Sequence, residues 1–198
     1  MTARTLVLAS ASPARLRQLR SAGIDPLVLV SDVAEDADPD LDTRSVVMAF
    51  ARRKAEAVLE RAPAGAVVVG CDSLLDFGGR PFGKPSSAAE AARRWQDMRG
   101  RAGTLCTGHC VIDTATGATV AEVAETVVHF GSPSERELAA YLSTAEPMSV
   151  AGAFTLDGRS APFIDGIEGD PGAVIGVSLP LLRTLLSRLS IEIVDLWC

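Results

Sequence analysis

The strongest constraint on the fold is the run Ala66–Gly70 (AVVVG), followed two residues later by Asp72. Consecutive β-branched valines suit a pleated strand, where branched side chains pack well. A strand that is apolar at every position must be buried on both faces. Layers therefore have to cover both sides of the sheet, which places the chain in the α/β class. Punctuation on either side agrees: Pro63–Gly65 breaks the chain before the run, and a loop with Gly78, Gly79 and Gly83 leads to Lys84–Pro85 after it.

Other segments read as alternating strands and helices. Thr5–Leu8 is a short buried strand, then Ser12 caps a helix with Pro13 at its first position and Gly23 at its stop. A second strand covers Leu27–Val30, and an acidic loop spans Asp32–Asp42. Val46, Val47, Phe50, Ala57 and Val58 repeat at helical spacing and predict a helix over Arg44–Arg61. Ser87-x-x-Glu90 predicts a capping box for a helix ending before Gly100, and Ser132-Pro133-Ser134-Glu135 predicts another for the helix carrying Tyr141. Between them Thr104–Asp113 and Thr119–Phe130 form a hairpin joined around Ala115–Gly117. A strand near Pro162–Ile167 and a leucine-rich helix after Pro180 complete the chain. With no repeat or linker, residues 1–198 are expected to form a single domain around a mixed sheet.

Composition narrows the partners. Aromatic residues are 5% of the chain, so the core rests on Ala, Val, Leu and Ile. The formal charge of −6 argues against nucleic acid or an anionic membrane as partner, since both need a broad basic surface. A local cluster of Lys and Arg can still hold a small anion. No apolar run approaches the ~18 residues of a bilayer span. Pro13 and Arg15 interrupt any signal-like core, so the expected location is the cytoplasm. The four cysteines (Cys71, Cys106, Cys110, Cys198) are expected to be reduced thiols rather than a zinc site.

Several residues carry candidate chemistry. In Leu8–Arg17 (LASASPARLR), Ser10, Ser12 and a helix N-terminus offer hydroxyls, amide N–H groups and a positive dipole end to a phosphate. Arg15, one turn in, can add a forked contact, or is simply a surface arginine on a capped helix. Asp72, directly after the buried run, sits where ligand crevices open in α/β sheets. It is a candidate metal ligand or general base, or an ordinary turn residue. Glu35 lies among carboxylates that are mostly solvated. Together with Asp72 it would suffice for Mg²⁺, which takes one or two carboxylates with water and substrate phosphates. Lys54 borders an apolar helical stripe and can snorkel to water. Lys84 stands between a flexible glycine and a rigid proline. His109 and His129 fall inside expected strands and do not assemble a histidine metal cluster or a serine–histidine–aspartate triad. No Walker A or G-x-G-x-x-G pattern follows a strand.

In order and spacing these pieces resemble the Maf family: SxSPxR (Ser10–Arg15), Glu35, KA (Lys54–Ala55), CDS (Cys71–Ser73), GKP (Gly83–Pro85), GRAGTLCTGH (Gly100–His109), AGAF (Ala151–Phe154) and EGDPGAVIGVSLPLL (Glu168–Leu182). The resemblance implies an elongated mixed sheet flanked by helices, with two lobes around a cleft, the Maf/ITPase-like architecture. It implies a nucleoside triphosphate pyrophosphatase that uses Mg²⁺ or another divalent metal such as Mn²⁺. It implies a homodimer, association with arrest of septum formation, and removal of noncanonical nucleotides. On this resemblance Asp72 is the proton acceptor, Glu35 joins it at the metal, and Arg15, Lys54 and Lys84 surround the triphosphate.

The specificity positions depart from the dTTP/UTP branch, whose Arg, Thr and Gln correspond to Ala14, Ser73 and Asp157 here. Asp157 offers an acceptor suited to the amino and ring N–H edge of guanine, closer to the branch acting on 7-methyl-GTP, although Ala14 and Ser73 are not that branch's residues. Ala34 replaces the first member of the usual acidic pair. LRxAGIxPL and FTLDG are similar to the actinobacterial type. The alternative function is a nucleotide-binding regulator of septum formation that does not depend on hydrolysis.

Overall fold

The computed structural model describes residues 4–34 and 41–198. Its elements are β1 (Leu6–Leu8), α1 (Pro13–Ser21), β2 (Leu27–Val28), α2 (Thr43–Glu56), β3 (Val67–Phe77), β4 (Arg80–Phe82), α3 (Ala88–Met98), β5 (Ala102–Asp113), β6 (Thr119–Phe130), α4 (Glu135–Leu142), β7 (Ile164–Glu168), α5 (Pro171–Ile175) and α6 (Leu179–Arg188). The strands form one mixed sheet in the order β2-β1-β3-β5-β6-β7, with β4 paired to β3. β1 runs parallel to both β2 and β3, while β3, β5, β6 and β7 pair antiparallel.

Alternation along β3 assigns its residues to two covered faces. Val67, Val69 and Cys71 pack with Leu6, Leu8 and Val111 against Leu19 of α1 and Leu182, Leu185 and Leu186 of α6. Val68 faces the other way, with Val7, Cys110 and Ile112, against Ala51, Ala55 and Val58. Two glycines let α2 approach closely. A Cβ on Gly70 would lie 2.3 Å from the Ala51 carbonyl oxygen, and one on Gly108 2.4 Å from that of Val47.

Past the middle of the sheet a second core begins. Leu75, Phe77, Leu105, Val128 and Phe130 pack with Trp95, Met98, Leu138, Tyr141 and Phe154. The two cores are two lobes sharing one sheet. Between them, on the α1 side, β3 and β5 carry Ser73 opposite Thr107 instead of apolar residues. Among the described residues no helix is long and apolar enough to cross a membrane.

The structure corrects several sequence expectations. The central strand continues through Asp72 to Phe77, because after Gly70 it still pairs with β5 and then with β4 across the Gly78–Gly79 turn. Asp72 therefore lies mid-strand, not in a turn at a strand end. α2 stops at Glu56, and a 3-10 turn at Leu59–Arg61 replaces its expected last turn. The reciprocal capping box of α4 is Ser134–Glu137, not Ser132–Glu135. At α3, Ser87 accepts from the Glu90 N–H, but the Glu90 carboxylate turns to Ser86. The short helix α5 had no sequence expectation; its Pro171–Gly172 start and Gly176 end read as turn residues.

Candidate functional site

A cleft of about 570 Å³ opens along one edge of β3. Its origin is a gap in pairing. β1 covers β3 only at Val67–Val69, and β4 covers it only at Leu75–Phe77. The chain leaves β1 through Ala9, whose N–H donates to the Val69 carbonyl at 2.9 Å, and turns into α1. Residues 70–74 thus present an edge that no described strand pairs. Side chains from both sheet faces reach the cleft across it.

From the α2 face come Asp72 and Lys54, an ion pair between Nζ and Oδ1, 6% and 9% exposed. Close helix–sheet contact at Gly70 brings Lys54 within reach of Asp72. From the α1 face comes Arg15, also 9% exposed. Its Nε donates to the Gly176 carbonyl at 3.1 Å, Nη1 to Ser10 Oγ at 3.0 Å and Nη2 to Ser73 Oγ at 3.2 Å. A guanidinium has five N–H groups, so two remain without a partner among the described residues. Ser12 caps α1, accepting from the Arg15 N–H at 3.4 Å, and its own N–H donates to Ser10 Oγ at 3.2 Å. Both hydroxyls keep their O–H to donate.

The lip belongs to other elements. Lys84 is exposed there, but its backbone is set through Gly83, whose carbonyl accepts from Arg94 at 2.5 Å and from the Gly152 N–H at 3.1 Å. Trp95 Nε1 and the Tyr141 hydroxyl both donate to the Ala153 carbonyl, at 2.9 and 3.0 Å. These bonds hold residues 151–154, where Gly152 and Ala153 both take positive φ. Such a backbone costs about 1–3 kcal/mol at a non-glycine residue and persists where its surroundings over-determine it.

Asp157 lies on the far lip. Its Oδ2 accepts from Arg17 Nη2 at 3.1 Å, and Oδ1 accepts from the Thr155 hydroxyl. Burial pushes this carboxyl up, but the Thr155 and Arg17 hydrogen bonds outweigh it and hold its pKa below the usual value. Both acceptor oxygens left to a base by the sequence are engaged within the protein.

The cleft thus gathers Ser10, Ser12, Ala14, Arg15, Lys54, Asp72, Ser73, Lys84 and Asp157. Glu35, expected beside Asp72, lies outside the described residues. One buried carboxylate and four cationic side chains, Arg15, Arg17, Lys54 and Lys84, line a single cleft, a charge pattern able to receive a polyanion.

The Maf-like protein family model matches residues 5–189. This chain belongs to that family. A Streptomyces coelicolor protein described as nucleoside triphosphate pyrophosphatase is 58% identical over 195 residues, spanning 98% of this chain and 95% of that protein. A Streptomyces avermitilis protein of the same description is 54% identical, with the same coverage. Among solved structures, the Staphylococcus aureus Ham1 protein has a TM-score of 0.44 at 18% identity, covering 65% of this chain and 72% of that one.

Beyond the expected residues, the Maf-like cleft includes Arg17, Asp32, Glu146 and Phe154. Arg17 could have been found from sequence, two residues past the SxSPxR segment and at i+3 from Ala14 on α1. Glu146 has a structural task, accepting from the Arg159 N–H at 2.9 Å and the Ser160 N–H at 3.4 Å and so holding the loop that carries Asp157. His109, set aside in the sequence, is a neutral buried group. Nδ1–H donates to the Thr107 carbonyl at 3.0 Å and Nε2 accepts the Ser178 N–H at 2.9 Å. Burial lowers its pKa to about 4, with Arg15 adding to the shift against the Thr107 bond and Asp170.

Proposed function

We propose that this chain hydrolyses nucleoside triphosphates to nucleoside monophosphate and pyrophosphate in the cleft at the open edge of β3. One observation carries the reading: the buried Asp72 carboxylate, with Lys54 against it, shares a cleft with Arg15 and Lys84. That is the charge pattern a triphosphate needs, and relatives of 54–58% identity are described as nucleoside triphosphate pyrophosphatases. Phosphoryl chemistry asks the protein mainly for positioning and charge neutralisation.

In this reading Asp72 orients a water and takes its proton as the oxygen attacks the α-phosphorus. Arg15 grips phosphate oxygens with the two N–H groups its own network leaves over. Lys54 and Lys84 neutralise the departing pyrophosphate, and the Ser10 and Ser12 hydroxyls donate to non-bridging oxygens.

The donor set fits Mg²⁺, or Mn²⁺. Among the described residues no group of three carboxylate, histidine or cysteine side chains can hold a metal. Mg²⁺ does not need one, since it commonly binds through one or two carboxylates with waters and substrate phosphates. Asp72, with Glu35 as the second candidate, would hold it. Bound with the substrate, the ion supplies charge neutralisation and orientation of the scissile anhydride. Asp157 favours a base with N–H donors, and a modified or noncanonical purine nucleotide is the proposed substrate.

The test is a panel of canonical nucleoside triphosphates plus 7-methyl-GTP, with products separated by chromatography. Pyrophosphate and monophosphate released with Mg²⁺, and abolished by EDTA, are the expected result. Release of orthophosphate, or tight nucleotide binding with no turnover, overturns the reading.

A further inference from the structure

Thr107 touches no solvent and lies below the cleft, where the α1-side face of the sheet switches from one apolar core to the other. A buried threonine in such a place costs free energy unless its hydroxyl is hydrogen-bonded. Its bonds leave little choice of direction. Thr107 Oγ1 donates to the Ala173 carbonyl of α5 at 2.8 Å. With its hydrogen spent there, it can only accept from Ser73 Oγ, 2.9 Å away across the strand pair. Ser73 Oγ, having donated its hydrogen to Thr107, can only accept, and the Arg15 Nη2–H points at it from 3.2 Å. The result is a one-way relay from Arg15 through Ser73 and Thr107 to Ala173.

The same strand secures a second hold on Arg15. His109, two residues along and on the same face, accepts the Ser178 N–H. Thr107 and His109 thus fix both ends of the segment 173–178, whose Gly176 carbonyl accepts from Arg15 Nε. Gly176 itself, at φ +139°, lies against the arginine: a Cβ there would sit 3.0 Å from Arg15 Cγ.

We propose that Thr107 is a positioning residue for Arg15. By fixing Ser73 as an acceptor and α5 as a wall, it aims the two remaining guanidinium N–H groups into the cleft at the phosphates. This rests on the polyphosphate reading of the cleft, but it concerns binding geometry and is separable from turnover. A fork aimed in advance loses less on binding than one that must be ordered by its ligand.

The experiment is calorimetric binding of inorganic tripolyphosphate to Thr107→Val, Thr107→Ser, Arg15→Ala and the Arg15→Ala/Thr107→Val double variant, each checked by melting temperature and near-UV circular dichroism. Thr107→Val should weaken binding about tenfold, in the range of one charge-assisted hydrogen bond. Thr107→Ser should restore it, and Thr107→Val should add less than about twofold once Arg15 is gone. Should Thr107→Val not fold, Ser73→Ala cuts the relay from its other side and is expected to give the same coupling. Effects of Thr107→Val, or of Ser73→Ala, that multiply with those of Arg15→Ala overturn the proposal, as does wild-type binding by a folded Thr107→Val or Ser73→Ala variant. None of these readouts needs pyrophosphate release, so a chain that binds without hydrolysing would fail the functional test and still answer this one.

Discussion

Arg15 and Lys84 bring positive charge to the same cleft by opposite means. Arg15 is 9% exposed and tied through three separate donors to the turn between β1 and α1, to β3 and to the segment after α5. Lys84 is exposed, and only its backbone is fixed, through the Gly83 carbonyl. The same contrast divides the two ion pairs: Lys54–Asp72 on the floor is almost wholly buried, whereas Arg17–Asp157 on the lip leaves the arginine side chain 65% exposed. A floor built from buried groups held by several bonds each suits the invariant part of a nucleotide, its phosphates. A lip of more exposed, solvent-screened charges suits the variable part. Changes to the floor should therefore damage rate for every substrate, and changes to the lip should reorder substrates.

Asp72→Asn is the severest break of the floor. The amide keeps the shape and can still accept from Lys54, but it cannot take a proton. Turnover should fall on the order of 10²–10⁴ for every nucleotide in the panel, as expected for loss of a general base. Pyrophosphate release measured beside the melting temperature checks this. A folded Asp72→Asn with wild-type turnover would remove the carboxylate from the chemistry.

Gly70→Ala attacks the same pair without touching it. The added Cβ meets the Ala51 carbonyl oxygen at 2.3 Å and the Ala55 N–H nitrogen at 2.7 Å, so α2 has to move away from β3. Overpacking of this kind costs roughly 1–3 kcal/mol, and shifting Lys54 relative to Asp72 by about an ångström should cost about 10² in rate. Chemical denaturation and pyrophosphate release give both numbers. A loss of stability with no loss of rate would mean that Lys54 tolerates displacement, and the floor is less rigid than its burial implies.

How much of this was legible from sequence follows the same division. The buried valine run, the capped α1 and the β5–β6 hairpin are local patterns, and they predicted the sheet and most elements near their observed positions. Ser10, Ser12, Arg15, Lys54, Asp72 and Lys84 stand out in the sequence as chemically capable residues after turns or beside apolar stripes, and the fold brings them to one cleft. What sequence could not supply is pairing. Only the register of β1 and β4 on β3 reveals that the edge at residues 70–74 is open, and that Asp72 is a mid-strand residue at that opening. Thr107 was equally hidden. Its role depends on facing Ser73 across a strand pair and Ala173 across a layer, contacts 34 and 66 residues apart in sequence. Arg17–Asp157 spans 140 residues, and no pattern along the chain announces it.

That last pair gives the mildest and most discriminating test. Arg17 occupies one acceptor oxygen of Asp157 and Thr155 the other. Guanine, whose adjacent N1–H and N2–H can both point at the carboxylate, competes with the arginine for those oxygens, whereas uracil, with a single N3–H between two carbonyls, gains less from its departure. Arg17→Ala should leave stability within about 0.5 kcal/mol, as usual for an exposed ion pair. It should lower KM for guanine nucleotides relative to uracil nucleotides by roughly three- to tenfold, with kcat little changed. Competition kinetics between GTP and UTP read the ratio directly. An equal rise in KM for both would assign Arg17 to the phosphates instead, and the contrast between a fixed floor and a selective lip would fail at its most exposed member.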